Sequence, residues 1–248
     1  MQKHYYDLRF KVDEEEWRAR VKRELIFQFW DVFAPKGKKT IKMLDLGCGS
    51  GLFQYEFEKR FPGVKSWGID ISKEAISYCR ARGIKKTWAY NGKTIPFKDN
   101  YFDSVKAIDV LEHIQNDRAA LDEIKRVLKN KGLGFFLVPA HKTLWSTRDI
   151  RLKHKRRYEN GELEEKCREA GFKLLISKNV DFALYFVLLI MCKFSPRKNK
   201  VPHLTRETAL TNYILDYLIL KYEQLENKLQ NYLNFPIGIS KLIIVEKN

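Results

Sequence analysis

The segment MLDLGCGSG, Met43–Gly51, sets three glycines at alternate positions directly after an apolar run. Gly47, Gly49 and Gly51 let the backbone turn tightly and approach a ligand that a side chain would block. The spacing is GxGxG, with Leu52 where a dinucleotide fingerprint needs its third glycine, and no GK[ST] ending follows. NAD, FAD and P-loop readings are therefore disfavoured. Asp70, in WGIDIS, closes the next apolar run, where a carboxylate can take both hydroxyls of a ribose; Ser72 already serves as the helix-entry residue. AIDVLEHI brings Asp109, Leu111, Glu112 and His113 out of a further apolar run. Last comes HKTLWSTRDIRLKHKRRY, His141–Tyr158, with six Lys/Arg and one Asp between Arg148 and Arg157. Such a run is ordinarily a solvated face. Trp145, His154 and Tyr158 have no use in one, however, and Arg156 and Arg157 could clamp a phosphate or diphosphate in bidentate fashion.

The elements that must position these residues alternate. Trp17, Val21, Leu25, Phe29 and Val32 fall at helical spacing within residues 13–33. Strands are expected at Ile41–Leu46, Val64–Ile71, Lys86–Asn91, Phe102–Val110, Gly132–Pro139 and from about Lys173 to Val180. Helices lie between them, from about Gly51 to Arg60, after Ser72, over Asp117–Leu128 and over Gly161–Ala170. This alternation predicts an α/β fold with a mostly parallel sheet and helices on both faces. Ligands in such sheets bind beyond the carboxyl ends of the strands. The tail differs: an apolar run Phe182–Cys192, the basic break KFSPRKNK, and a long helix from about Arg206 to Tyr232 precede a last strand in GISKLIIVEK. Ile214, Leu218, Tyr222, Leu225, Leu229 and Tyr232 line one face of that helix. Roughly sixty residues thus separate two sheet strands, far more than an ordinary connection. The expected layout is one domain over 1–248: a helical cap (1–39), the core (40–180), a helical insertion (181–238) and the last strand (239–248).

With 248 residues, 44% hydrophobic and 31% charged, the composition is that of an ordinary globular protein. The net charge of +16 is not, and it favours an anionic partner. Cys48, Cys79, Cys167 and Cys192 have no CxxC pairing and no metal-ligand spacing. Reduced thiols in a cytoplasmic protein are expected, and no metal ion. The N-terminal residues carry charges where a signal peptide needs an apolar stretch, so secretion is not expected.

Together LDLGCGSG, GIDIS and IPFKDNYFDSVKAIDVLEHI resemble the class I S-adenosylmethionine-dependent methyltransferases, over about residues 40–140. The resemblance implies a Rossmann-like seven-stranded sheet and S-adenosyl-L-methionine as cofactor, with S-adenosyl-L-homocysteine as product. It places Asp45, Gly47, Gly49 and Gly51 under the methionine end of the cofactor, Asp70 with Ile71 at the ribose, and Asn91 at the adenine amine. Asn91 stands in place of the usual Asp and would accept through its amide oxygen. Cys48, Gly92, Asp109 and Leu111 complete the implied cofactor set.

Methyl transfer from a sulfonium is an in-line displacement whose leaving group needs no protonation, so the protein must align the nucleophile and remove a proton from a hydroxyl acceptor. His113 is the first candidate for that task and His154 the second. No [DNS]PP[YF] signature is present, and no Cys lies between Cys79 and Cys167, which disfavours methylation of nucleic-acid bases. DVLEH instead resembles small-molecule methyltransferases, including quinone- and lipid-type O-methyltransferases. W-S-x-x-D followed by H-x-R-R-Y resembles a subgroup associated with surface-glycan and polyprenyl-lipid pathways. On that footing His141, Trp145, Asp149, Arg156, Arg157 and Tyr158 are the expected acceptor-binding residues, for a small or lipid-linked, anionic acceptor methylated at oxygen. Residues 182–200 would touch a membrane surface. An RNA methyltransferase, or a cofactor-binding module without catalysis, is the alternative.

Overall fold

The structure, a computed structural model, describes residues 17–35, 37–194, 209–230 and 232–248. In chain order the elements are α1 (Trp17–Phe33), β1 (Ile41–Leu46), α2 (Leu52–Arg60), β2 (Val64–Asp70), α3 (Lys73–Ala81), β3 (Thr87–Ala89), β4 (Phe102–Ile108) and α4 (Asp117–Val127). They continue with β5 (Leu128–Pro139), α5 (Thr147–Arg151), α6 (Glu162–Glu169), β6 (Phe172–Val180), α7 (Phe182–Phe194), α8 (Ala209–Leu229) and β7 (Ser240–Lys247). The start of the first helix before Trp17, most of the basic break after α7, and the beginning of the long helix fall outside the described residues.

The seven strands form one sheet in the order β3-β2-β1-β4-β5-β7-β6. Neighbours from β3 to β5 are parallel, and β7 runs antiparallel between β5 and β6. The late strand therefore closes the sheet by filling a slot left between two strands already made. Both faces are covered, so the central strands read as continuous apolar runs. On one face Leu44, Leu46, Phe102, Val105, Phe136 and Ile243 pack with Leu121 and Ile124 of α4 and Leu163 of α6. On the other, Met43, Phe135, Leu137 and Ile244 meet Leu25, Ile26, Phe29 and Trp30 of α1 and Phe53 and Phe57 of α2. Val32, expected on the inward stripe of α1, is exposed; Ile26 and Trp30 take the inward positions.

The insertion departs from its apolar pattern. In α8 and the turn that follows it, the inward residues are Glu223, Glu226, Asn227 and Gln230, while Leu218, Leu225 and Tyr232 of the expected apolar face point to solvent. The reason is a hydrogen-bond demand. Helix α7 starts against α8, and its first backbone N–H groups at Phe182 and Ala183 donate to the Glu226 carboxylate and the Tyr222 hydroxyl. Asn227 Nδ2 donates to the Val21 carbonyl of α1, and Gln230 Nε2 to the Asn179 carbonyl of β6. Buried donors and acceptors must be paired, so the polar stripe turns in and the apolar stripe is left outside.

Candidate active site

Three loops at the carboxyl ends of β1, β2 and β4 converge. The first is the glycine turn. Gly47 and Gly51 have φ of 71° and 76°, left-handed values that an L side chain resists. A Cβ on Gly47 would overlap the Val110 side chain, and one on Gly51 would lie 2.6 Å from Ile84 Cδ1. The turn is thus pressed against the β4 exit on one side and α3 on the other. Asp70 ties it to β2: its carboxylate accepts from the Gly49 N–H at 3.0 Å and the Ser72 N–H at 2.9 Å. A carboxylate has about four acceptor positions, so two remain for a diol. Beneath the turn, Asp45 is buried and paired with Lys106. Burial pushes its carboxyl above the ordinary value, against the pull of Lys106. Cys48 is buried beside Cys79, and that contact together with burial raises its thiol, leaving only its backbone to offer a ligand.

Beyond Asp70 the exposed Ile71 stands next to Gly92, and a small crevice is lined by Leu46, Tyr90, Gly92 and Ile114. Lys93 and Glu123 share its wall. Asn91 corrects the expectation. Its amide oxygen already accepts from the Lys93 and Thr94 N–H groups, at 2.9 and 3.0 Å, so both lone pairs serve its own turn and not an adenine amine. Tyr90 and Ile114 had no motif to announce them; the fold alone brings them to this crevice.

The β4 exit carries the acid–histidine cluster. Asp109 has a φ of 52°, an uncommon value for a non-glycine residue. Its carboxylate takes Lys22 of α1 at 2.6 Å, and Lys22 holds it below the ordinary carboxylate range despite the opposing effect of burial. A 3-10 turn, Leu111–His113, follows. Leu111 and Glu112 are fully buried, and neither carboxylate oxygen of Glu112 has a hydrogen-bond partner. Burial, reinforced by Asp109, raises Glu112 well above its ordinary value. The His113 and His154 rings meet edge to face, with centroids 4.8 Å apart. His154 Nε2 lies 4.0 Å from Glu112 Oε1.

His154 arrives there because the basic stretch folds back as a wall. Ser146 and Asp149 form a reciprocal capping box that starts the short helix α5, which the residue pattern did not announce. The buried Asp149 carboxylate receives His154 Nδ1 at 2.9 Å and Arg157 Nε at 2.8 Å. Against the upward push of burial, these partners hold Asp149 down at about 2. The Asp149 contact fixes the ring's orientation and turns Nε2 toward Glu112 Oε1. The Lys155 N–H donates to the Glu112 carbonyl, and the Arg156 guanidinium to the carbonyls of Ile114 and Gln115, which staples the wall to the β4 exit.

This geometry corrects the expected anion clamp. Arg157 is buried between Asp149 and the Ala140 carbonyl, and Arg156 is engaged by Asp117 as well as by the two carbonyls. Asp149 is fully buried, so it orients His154 and Arg157 and offers no surface to an acceptor. Tyr158 lies in the core with its hydroxyl on Asp117, and burial raises it far above an ordinary phenol. His141 is also buried, against Tyr185, and burial lowers its basicity. Of the residues expected to hold an acceptor, Trp145 keeps an open face, at 39% exposure. Lys22 and Arg148 act on Asp109, and Lys22 and Arg157 on Glu112.

Residues 44–136 match the family described as Methyltransferase domain. An uncharacterised protein of Methanocaldococcus jannaschii is 40% identical over 111 residues, 44% of this chain and 46% of that protein. A ubiquinone biosynthesis O-methyltransferase of Pelagibacter ubique is 29% identical over 130 residues, 51% of this chain and 53% of that one. The chain thus spans about half the length of these relatives. Phosphoethanolamine N-methyltransferase 2 of Haemonchus contortus, solved in complex with S-adenosyl-L-methionine, has the same fold. It superposes with a TM-score of 0.59 at 19% identity, covering 90% of this chain and 52% of that one. Residues 44–136 thus resemble a methyltransferase domain, and the sheet that carries the glycine turn, Asp70 and the β4 exit has the fold of a solved methyltransferase.

Proposed function

We propose that this protein transfers the methyl group of S-adenosylmethionine to an oxygen of a small or lipid-linked, negatively charged acceptor. The observation that carries the reading is the contact of the glycine turn with Val110, because it sets the cofactor cradle directly beside the Glu112, His113 and His154 cluster. When bound, the cofactor supplies a methyl group on a sulfonium whose sulfur leaves as a neutral thioether. The chain's residues do the rest. Gly47, Gly49 and Gly51 admit the methionine end, Asp70 accepts from the ribose hydroxyls, and Ile71, Tyr90 and Ile114 flank the base. His154, held through Nδ1 by Asp149, presents Nε2 to a hydroxyl proton, with His113 beside it. Lys22 and Arg148 supply the positive field that an anionic acceptor would meet.

The lipid-linked half of the reading is supported by exposed apolar side chains on the insertion: Phe186, Val187 and Ile190 of α7 and Tyr217, Leu218 and Leu225 of α8. Among the described residues no helix is long and apolar enough to cross a membrane, so any contact would be peripheral.

Titration calorimetry with S-adenosylhomocysteine tests the cofactor half. Binding is expected, and Asp70→Ala should weaken it at least tenfold, about 1.4 kcal/mol or more. A folded sample that does not bind removes the enzyme reading. Labelled cofactor incubated with total lipid extract and, separately, with total RNA tests the acceptor half. Label entering RNA, with a steep salt dependence, would overturn the small-molecule or lipid assignment.

A further inference from the structure

We propose that Glu112, His113 and His154 are the ligands of a divalent first-row transition-metal ion, of the zinc, manganese or iron class, at the floor of the acceptor cleft. One ligand atom from each residue falls within 4.8 Å of the other two. An ion bound at 2.0–2.2 Å with tetrahedral angles needs ligand atoms about 3.4 Å apart, so modest side-chain rotation closes the set.

Two independent features point to a cation rather than to a bare hydrogen-bonded cluster. The first is Glu112, fully buried with both carboxylate oxygens unpartnered. A buried carboxylate without a side-chain partner is costly, and Lys22 and Arg157 act on it only through space. Of the three acids around the cleft, Asp109 has Lys22 and Asp149 has Arg157, while Glu112 has no ion pair with either cation among the described residues. The second is the orientation of His154. Its Nδ1 is committed to Asp149, so Nε2 is the ring nitrogen that faces the Glu112 carboxylate, at 4.0 Å. Two potential ligand atoms that face each other across a gap too long for a hydrogen bond leave a place for a cation between them. The Asp149–His154 pair is the carboxylate–imidazole arrangement that orients a metal-bound histidine and raises its basicity.

The donor set selects the ion. Two imidazoles and one carboxylate disfavour magnesium and calcium, which prefer oxygen donors, and suit zinc, manganese or iron(II) with positions left open. Glu112 is fully buried and the His154 side chain nearly so, while His113 is half-buried, so the open positions lie on the His113 side. Residues distant in sequence supply the set, which is why the spacing of the chain predicted no metal. Binding of the ion stands on this geometry alone. With the ion bound, His154 Nε2 is a ligand and not the base; the ion's role, holding an acceptor oxygen beside the transferred methyl group and making its hydroxyl more acidic, rests on the methyltransferase reading.

The test uses the full chain, stripped with a chelator and titrated with Co²⁺ as the spectroscopic probe, then with Zn²⁺ and Mn²⁺ by calorimetry. One Co²⁺ per chain should bind, with visible d–d absorption and near-ultraviolet shifts. Glu112→Gln and His154→Ala should abolish that spectrum, and Asp149→Asn should weaken binding about ten- to hundred-fold. S-adenosylhomocysteine binding, measured on the same samples, reports that each variant is folded. Protein that binds S-adenosylhomocysteine but takes up no Co²⁺ overturns the metal site and leaves the methyltransferase reading standing. Uptake that is unchanged in Glu112→Gln and His154→Ala overturns the site equally. Protein that takes up Co²⁺ at these residues but binds no S-adenosylhomocysteine overturns the methyltransferase reading and leaves the site.

Discussion

Replacing Asp149 with Asn separates a structural wall from a solvated basic loop. The side chain is 1% exposed, and it is the anion for the Arg157 guanidinium, itself 7% exposed. Asn keeps the shape and one acceptor oxygen, so the capping box with Ser146 survives in part. The loss is the charge, which leaves a guanidinium buried with only the Ala140 carbonyl and an amide for company. Breaking a buried pair from one side costs about 3–5 kcal/mol, and the retained shape argues for the lower end, about 3 kcal/mol. For a chain of this size that corresponds to a fall in Tm of about 6–12 °C. The pH dependence supplies a second readout. The folded carboxyl sits at about 2 against 3.8 in the unfolded chain, so its stabilisation is fully present above pH 4 and disappears as pH falls toward 2. The shift corresponds to about 2.4 kcal/mol at neutral pH, of which about 1 kcal/mol is already gone at pH 3. Urea unfolding of both proteins between pH 7 and pH 3 should therefore show the gap between them narrowing in the acid. A destabilisation below about 1 kcal/mol at pH 7, or a gap that stays constant down to pH 3, would refute the assigned role of Asp149.

Other expectations follow from the same geometry. Gly47→Ala forces a Cβ into Val110 at a left-handed φ, so it should cost about 1–3 kcal/mol in urea unfolding and markedly weaken S-adenosylhomocysteine binding. Unchanged affinity would mean the turn is not the cradle. Arg157→Gln should lower Tm by several degrees, while the exposed Arg151→Gln stays within about 0.5 kcal/mol of the parent; equal effects would restore the picture of a solvated loop. Leu218→Asp combined with Leu225→Asp should leave stability within about 0.5 kcal/mol, since both side chains are more than half exposed. It should also reduce sedimentation with anionic vesicles, and undiminished sedimentation would remove these residues from any membrane contact.

The glycine turn and its tie to Asp70 were legible in the chain because their determinants are local. Left-handed turns need glycine at Gly47 and Gly51 whatever surrounds them, a strand of alternating or continuous apolar residues ends where its pattern ends, and Asp70 is two residues from the helix entry it borders. Those constraints act over a few residues, so MLDLGCGSG and WGIDIS carry them openly. Asn91 shows the limit even here, because the oxygen counted toward a ligand is taken up by its own turn. The wall formed by residues 141–158 was decided by tertiary structure. HKTLWSTRDIRLKHKRRY offers six cations of similar type between Arg148 and Arg157, and nothing local says which one is buried. Asp149 selects Arg157, Asp117 with two carbonyls engages Arg156, and His154 is carried to Glu112 from another strand. The same physics reverses α8. Apolar spacing foretold a helix and a face, but the unpaired N–H groups at the start of α7 required acceptors, and Glu226 and Tyr222 turned inward to meet them. Hydrophobic periodicity is written along the chain, whereas the pairing of buried polar groups is settled only when distant segments meet.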